Sequence, residues 1–170
     1  MKRNFLLLIS VLTFLLSTSC SNRKTQTRDD QIEEFRSILS SSDTTQMLQL
    51  CDNAMEQLKG NNIEQVVASL FEYNDSTHEA MPISDATAKH YTRLFRMFPV
   101  LNYTRRYFSF MLEGCNDVLY DVVFARAEEA GTENDPTTTY MFNPVRINGE
   151  WKLCVKTLND EIDLHKTFER

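Results

Sequence analysis

A chain of 170 residues, 42% apolar and 11% aromatic, has enough nonpolar mass for one domain with one core. Its 24 acidic residues outnumber the 18 basic ones, for a net charge of −6. Phosphate backbones and anionic headgroups repel such a chain as a whole, which excludes nucleic acid as the expected partner.

Lys2 and Arg3 precede the apolar run Phe5 to Leu16, and Ser17, Thr18 and Ser19 lead to Cys20. A basic start, an apolar stretch of about a dozen residues and a small-residue approach read as a secretory signal. The run falls short of the roughly 20 residues that a membrane-spanning helix needs. With Cys20 directly after the small residues, the segment resembles the lipobox of bacterial lipoproteins, although Ser17 stands where that pattern usually has Leu. The resemblance implies cleavage before Cys20 and a diacylglycerol on its thiol that holds the chain at a membrane. The alternative is an ordinary secretory signal with an incidental cysteine.

On this division residues 1–19 are signal, 20–42 the lipidated cysteine and tether, 43–160 the domain, and 161–170 a tail. The tether begins polar and patternless (SNRKTQTRDD), and Gln31 to Ser42 places Ile32, Phe35, Ile38 and Leu39 at the spacing of a short helix. A longer helix is expected from an Asp43 cap to Lys59 before Gly60, with Met47, Leu50, Cys51, Ala54, Met55 and Leu58 in one stripe. A second follows Asn61 or Asn62, carries Ile63, Val66, Val67, Leu70 and Phe71, and ends near Tyr73. A third starts from Ser84, buries Tyr91, Leu94, Phe95 and Phe98, and stops at Pro99.

From Leu101 the period changes to two. Tyr107 to Leu112 and Val118 to Arg126 flank the turn-rich Glu113-Gly114-Cys115-Asn116-Asp117, which reads as a hairpin. After an acidic loop, TTTYMFNPVRINGEWKLCVKTL reads as two strands around Asn148-Gly149, the pair best suited to a two-residue type I′ turn. That register opposes Ile147 to Glu150, Arg146 to Trp151 and Pro144 to Leu153. Tyr140, Phe142, Trp151, Leu153 and Val155 then share a core face, and Asn143, Lys152, Cys154 and Lys156 share a wetter one. Pro144 belongs at a strand end, a bulge or an unpaired edge.

Three helices followed by about four antiparallel strands, closing on RINGEWKLCV, resemble the NTF2-like (cystatin-like) α+β superfamily, in which N-terminal helices pack on a curved sheet to form a cone. The similarity covers about Asp43 to Leu158, and with the lipobox the chain looks like the small NTF2-like lipoproteins of Bacteroidota. Asp43-Thr44-Thr45 and Asp75-Ser76-Thr77 also match that phylum's O-glycosylation triplet. Ser21-Asn22-Arg23-Lys24 lacks the acidic surface-export tag, so the resemblance implies the periplasmic side of the envelope rather than the exterior.

The resemblance also implies a pocket between sheet and helices, with Tyr140, Phe142, Trp151, Leu153, Tyr91 and Phe95 as candidate lining. Asp121, flanked by Leu119 and Val123, is the candidate general base, since a desolvated carboxylate has the raised pKa such a base needs. In the commoner arrangement Val118, Tyr120, Val122 and Phe124 face the core, which leaves Asp121 outside beside a basic residue. His90, one residue before the apolar stripe, is a second catalytic candidate without a nameable partner. The arginines of YTRRYFSF read as solvated charge on a strand rather than a base-stacking surface.

Cys51, Cys115 and Cys154 are an odd number without CxxC spacing, and His78, His90 and His165 lie far apart, so no disulfide scaffold, metal site or cofactor is expected. These features favour a lipid-anchored, non-catalytic module that presents a pocket to a small apolar ligand or a sheet face to a protein partner or second copy. The alternative is a hydrolase or isomerase that uses Asp121.

Overall fold

Helices and strands are in place from the start of the computed structural model's described region, residues 27–155 apart from 75, 76 and 78. Cys20, the signal and the tail after Val155 lie outside the described residues. Contacts divide the chain between Gln31 and Ile32. The first turn of α1 (Arg28–Ile38) thus belongs to the N-terminal unit, and the rest of the described chain forms one body. Of the expected α1 stripe only Phe35 is buried, and Ile38 stays 64% exposed.

Ser40, and not Asp43, caps the long helix α2 (Ser41–Lys59). The Ser40 hydroxyl accepts the Asp43 N–H at 3.1 Å, and the Asp43 carboxylate accepts the Ser40 N–H at 3.0 Å. This reciprocal box satisfies two donors that a helix start otherwise leaves orphaned. The stripe Met47, Cys51, Ala54, Met55 and Leu58 is buried as its spacing requires. The next helix, α3 (Ile63–Ala68), is shorter than its apolar pattern suggests. Leu70, Phe71 and Tyr73 leave it to form a strand, because pairing on both sides outweighs continuation of a marginal helix. α4 (Asp85–Met97) runs as expected, from a Ser84 hydroxyl that accepts the Thr87 N–H at 3.2 Å to the residue pair before Pro99. No described helix is long and apolar enough to cross a membrane.

Six strands, rather than about four, make one sheet: β1 (Leu70–Asn74), β2 (Glu79–Pro82), β3 (Asn102–Phe110), β4 (Asn116–Val123), β5 (Thr137–Ile147) and β6 (Glu150–Val155), in the order β2-β1-β6-β5-β4-β3. β1 and β6 run parallel, and every other neighbouring pair is antiparallel. The architecture is α+β, as expected. The two additional strands escape sequence reading because β1 continues a helical-looking pattern and β2 (EAMP) has no alternation. The acidic loop adds one helical turn, α5 (Ala127–Ala130).

The β5–β6 hairpin has the expected register, with Asn148 and Gly149 at φ 51° and 85°. Pro144 lies beyond the last β4 partner of β5, the pair Val118–Phe142, so its missing N–H interrupts no ladder. Its carbonyl accepts the Asn116 side-chain amide at 3.0 Å, and Asn143 binds the Gly114 carbonyl and the Asn116 N–H where the two strands separate.

Helices α2, α3 and α4 pack on one face of the sheet, here the inner face. Val118, Tyr120, Val122, Tyr140, Phe142, Leu153 and Val155 meet the helical stripes there in a single core. The outer face differs between its ends. At one end the β1–β2 ribbon curls over so that β2 approaches β5, and Tyr73 and Ala80 pack on Val145 and Cys154. Cys154 is therefore fully buried, although its strand face reads as the wetter one. At the other end Leu119, Val123 and Met141 are half-buried with no helix among the described residues over them, and Tyr107 is 41% exposed.

Candidate functional site

The residues expected to line a pocket come together, but as packed core. Tyr91, Phe95, Tyr140, Phe142 and Leu153 are all at least nine-tenths buried. Their rings interlock: Phe95 to Tyr140 at 5.1 Å, Tyr91 to Phe95 at 5.7 Å and Tyr120 to Phe142 at 6.2 Å between centroids. Burial pushes the Tyr140 hydroxyl above the ordinary phenol range, and the hydroxyl donates to the Phe98 carbonyl at the end of α4. Tyr140 thus holds the helix end to β5 and does not project into a pocket.

Trp151 is partly buried and belongs to a latch between α2 and the β5–β6 hairpin. Its indole N–H donates to the Asp43 carboxylate at 3.3 Å, and the Arg146 guanidinium lies 5.4 Å from its ring and 3.1 Å from the same carboxylate. The hydrogen bonds from Ser40 hold Asp43 below the usual carboxylate range. Glu113 approaches from the β3–β4 turn and accepts the Arg146 N–H. Burial raises its carboxyl above the usual value.

Asp121 does not occupy the inner face. The phase of β4 buries Val118, Tyr120 and Val122 and turns Asp121 outward, where its two carboxylate oxygens meet Arg106 Nε at 2.9 Å and Nη2 at 2.5 Å. A β-bulge between Arg105 and Tyr107 brings Arg106 onto that outer face. A half-exposed carboxylate held by a guanidinium lacks the desolvation a poised base requires, so the candidate role of Asp121 as pocket base is corrected. His90 is half-buried on α4, edge-on to the neighbouring Tyr91 ring at 5.3 Å. Because α4 packs on the inner face and Asp121 leaves the outer one, the two candidates do not form a pair.

The richest polar constellation joins α2 to β3 and β4 and is absent from the candidates named above. Asp52 and Glu56 stand one turn apart beside the buried stripe of α2. Tyr103 and Arg105 alternate onto the inner face of β3, and Tyr120 faces them from β4. Asp52 accepts the Tyr120 hydroxyl at 2.6 Å and the Arg105 guanidinium at 2.8 and 3.0 Å, while Glu56 accepts the Tyr103 hydroxyl at 2.6 Å. The tyrosine rings meet edge to face at 5.7 Å, and the Lys59 ammonium lies 6.0 Å from the Tyr103 centroid.

Burial, and next the carboxylate each one serves, raise both phenols well above their ordinary range. They stay protonated donors at neutral pH. Arg105 balances the charge of Asp52, and each carboxylate already has a donor, so the arrangement clamps the helix to the edge of the sheet. Burial also pushes the neighbouring Cys51 thiol far up, out of the range of a reactive thiolate. The spacing of Asp52 and Glu56, and the alternation of Tyr103 and Arg105, are visible in sequence; their meeting across 47 to 68 residues is not. Among the described residues no group of three His, Cys, Asp or Glu side chains is arranged to hold a metal ion.

No protein-family model and no curated protein matches the chain. Among solved structures, a protein named as an NTF2-like transpeptidase from Campylobacter jejuni, with a crystal structure at 2.00 Å, is similar over 69% of this chain and 100% of its own. The two share 12% identity, with a TM-score of 0.38.

Proposed function

We propose that the chain is a lipid-anchored protein of the cell envelope with an NTF2-like domain, held by Cys20 on the periplasmic side and acting as a non-catalytic interaction module. The observation that carries this reading is the packed inner face: the volume in which a cone would receive a substrate is taken up by Met47, Met55, Tyr120 and Phe142, each almost wholly buried. A small apolar ligand would have to displace core side chains, at a cost of several kcal/mol, since interiors are close-packed. The outer face of β3, β4 and the first half of β5, uncovered among the described residues, offers a protein partner or a second copy what the inner face does not. The helix–strand order and the RINGEWKLCV hairpin support the NTF2-like assignment, and the approach to Cys20 supports the anchor.

The test has two arms on protein recovered from a bacterial envelope. Mass analysis of the N-terminal peptide is expected to find diacylglycerol on Cys20, and a Cys20→Ala chain is expected to lose it; an unmodified Cys20 removes the anchor. Native against denaturing mass spectrometry is expected to give the same protein mass. A small molecule released only on denaturation would overturn the packed-interior reading.

A further inference from the structure

The net charge of −6 is unevenly placed. Lys89, Arg93 and Arg96 project from the outer side of α4 on successive turns, and all three are exposed. Arg96 pairs with Glu64 of α3 at 2.7 Å in a pair with both side chains well exposed, the kind that contributes little and exchanges partners readily. Among the described residues Lys89 and Arg93 take part in no ion pair. Beyond the basic row, Met97 is 58% and Leu101 38% exposed. Asp85 begins the helix one turn before Lys89, about 6 Å along the axis, and stands about 12 Å from Arg93 at 1.5 Å of rise per residue, so Arg93 and Arg96 lie beyond its reach.

We infer that this face of α4 docks on an anionic membrane surface, with Lys89, Arg93 and Arg96 against lipid phosphates and Met97 and Leu101 at the headgroup boundary. At physiological ionic strength charges beyond about 8 Å are screened, so the face that approaches decides the interaction and the acidic remainder is turned away. The apolar stripe of α4 stays in the protein core, so the attraction is that of a juxtamembrane cationic patch, with Met97 as an exposed apolar side chain at the end of the helix. The envelope reading supplies only the nearby membrane; the surface itself stands on the placement of these side chains. It gives a tethered domain a fixed orientation, with the clamp of α2, β3 and β4 and the uncovered outer sheet face free for other contacts.

The test is flotation of residues 28–170, which contain the whole described body with its own core, with vesicles of phosphatidylglycerol or of phosphatidylcholine at low salt. Binding is expected to the anionic vesicles only. Each cation at such a surface multiplies affinity by roughly five, so the double variant Lys89→Gln, Arg93→Gln is expected to bind roughly 25-fold more weakly. Glu64→Gln, which frees Arg96, is expected to bind more tightly, and Lys152→Gln on the outer sheet face to bind as the parent does. Circular dichroism verifies that each variant is folded. Equal binding to both vesicles, no binding to either, or indifference to both the double variant and Glu64→Gln would overturn the proposal. So would release by inorganic phosphate at the headgroup concentration, which would indicate a site for a small anion. Because no step uses Cys20, failure here and failure of the lipid anchor are separate results.

Discussion

The two faces of one sheet present opposite solutions to the same alternation. On β4 and β5 every second side chain, from Val118 through Tyr120 and Val122 to Tyr140 and Phe142, disappears under α2 and α4, and the residues between them, Leu119, Asp121, Val123 and Met141, remain half in solvent. The inner face spends its aromatic residues on packing, and its polar groups, the Tyr140 and Tyr120 hydroxyls, reach the rim and bind backbone or carboxylate there. Among the described residues the outer face is closed where the β1–β2 ribbon covers Val145 and Cys154, whose thiol burial pushes up to about 12. The contrast teaches that an element order suggestive of a pocket does not itself make one. Side-chain volume on the inner face decides, and here that volume is used up.

The sharpest way to break the contrast is to truncate neighbours that point in opposite directions. Phe142→Ala on the inner face is expected to cost about 3–5 kcal/mol, as large-to-small changes in a closed core do. Met141→Ala, one residue away and outward, is expected to cost about 1 kcal/mol or less. Urea unfolding of the two variants measures both, and equal losses would mean that the inner face holds space the packing does not reveal.

A smaller effect separates the two carboxylates of the latch. Burial holds the Glu113 carboxyl above its ordinary 4.5, so the folded state keeps a proton that the unfolded chain releases. Its contribution is therefore fully present below about pH 4.5 and is lost as pH rises through the raised value. Asp43, held below 3.8 by Ser40, has the opposite sign: its contribution is present above 3.8 and is lost as pH falls through the lowered value. Melting temperatures across the acid-to-neutral range are expected to fall less steeply with rising pH for Glu113→Gln than for the parent, with the acid limb unchanged. An unaltered slope above pH 4.5 would show that Glu113 is not the titrating group.

The smallest effect is expected at Asp121→Asn. This half-exposed partner of Arg106 should change stability by about 0.5 kcal/mol or less, in the range of surface ion pairs. A large loss in thermal unfolding would mean that the outer face is more tightly organised around that pair than its exposure implies.

Local signals account for what could be read in advance. The α2 stripe, the Ser84 cap, the stop before Pro99 and the Asn148-Gly149 hairpin each lie within one helix face or one turn, and each stands where its residues place it. The cap of α2 stands three residues before the expected Asp43, because Ser40 and Asp43 both suit a helix start and their reciprocal bonds decide between them. The spacing predicts helix over β1, because Leu70 and Phe71 extend an apolar helical pattern, whereas Leu153, the parallel partner of Leu70, lies 83 residues away. The candidate site was less legible still. The sequence leaves two phases open for Asp121, and the choice rests on which strand face the helices cover.

By itself, then, the sequence determined the buried stripe of α2, the Ser84 cap, the register of the last hairpin and an acidic total, all properties of residues near one another or of simple sums. Tertiary structure alone decided that six strands join in one sheet, that Tyr140 and Phe142 pack where a pocket was expected, that Asp121 meets Arg106 outside, and that Asp52 and Tyr120 find each other. Those outcomes depend on which distant surfaces exclude water together, and no local spacing encodes that choice.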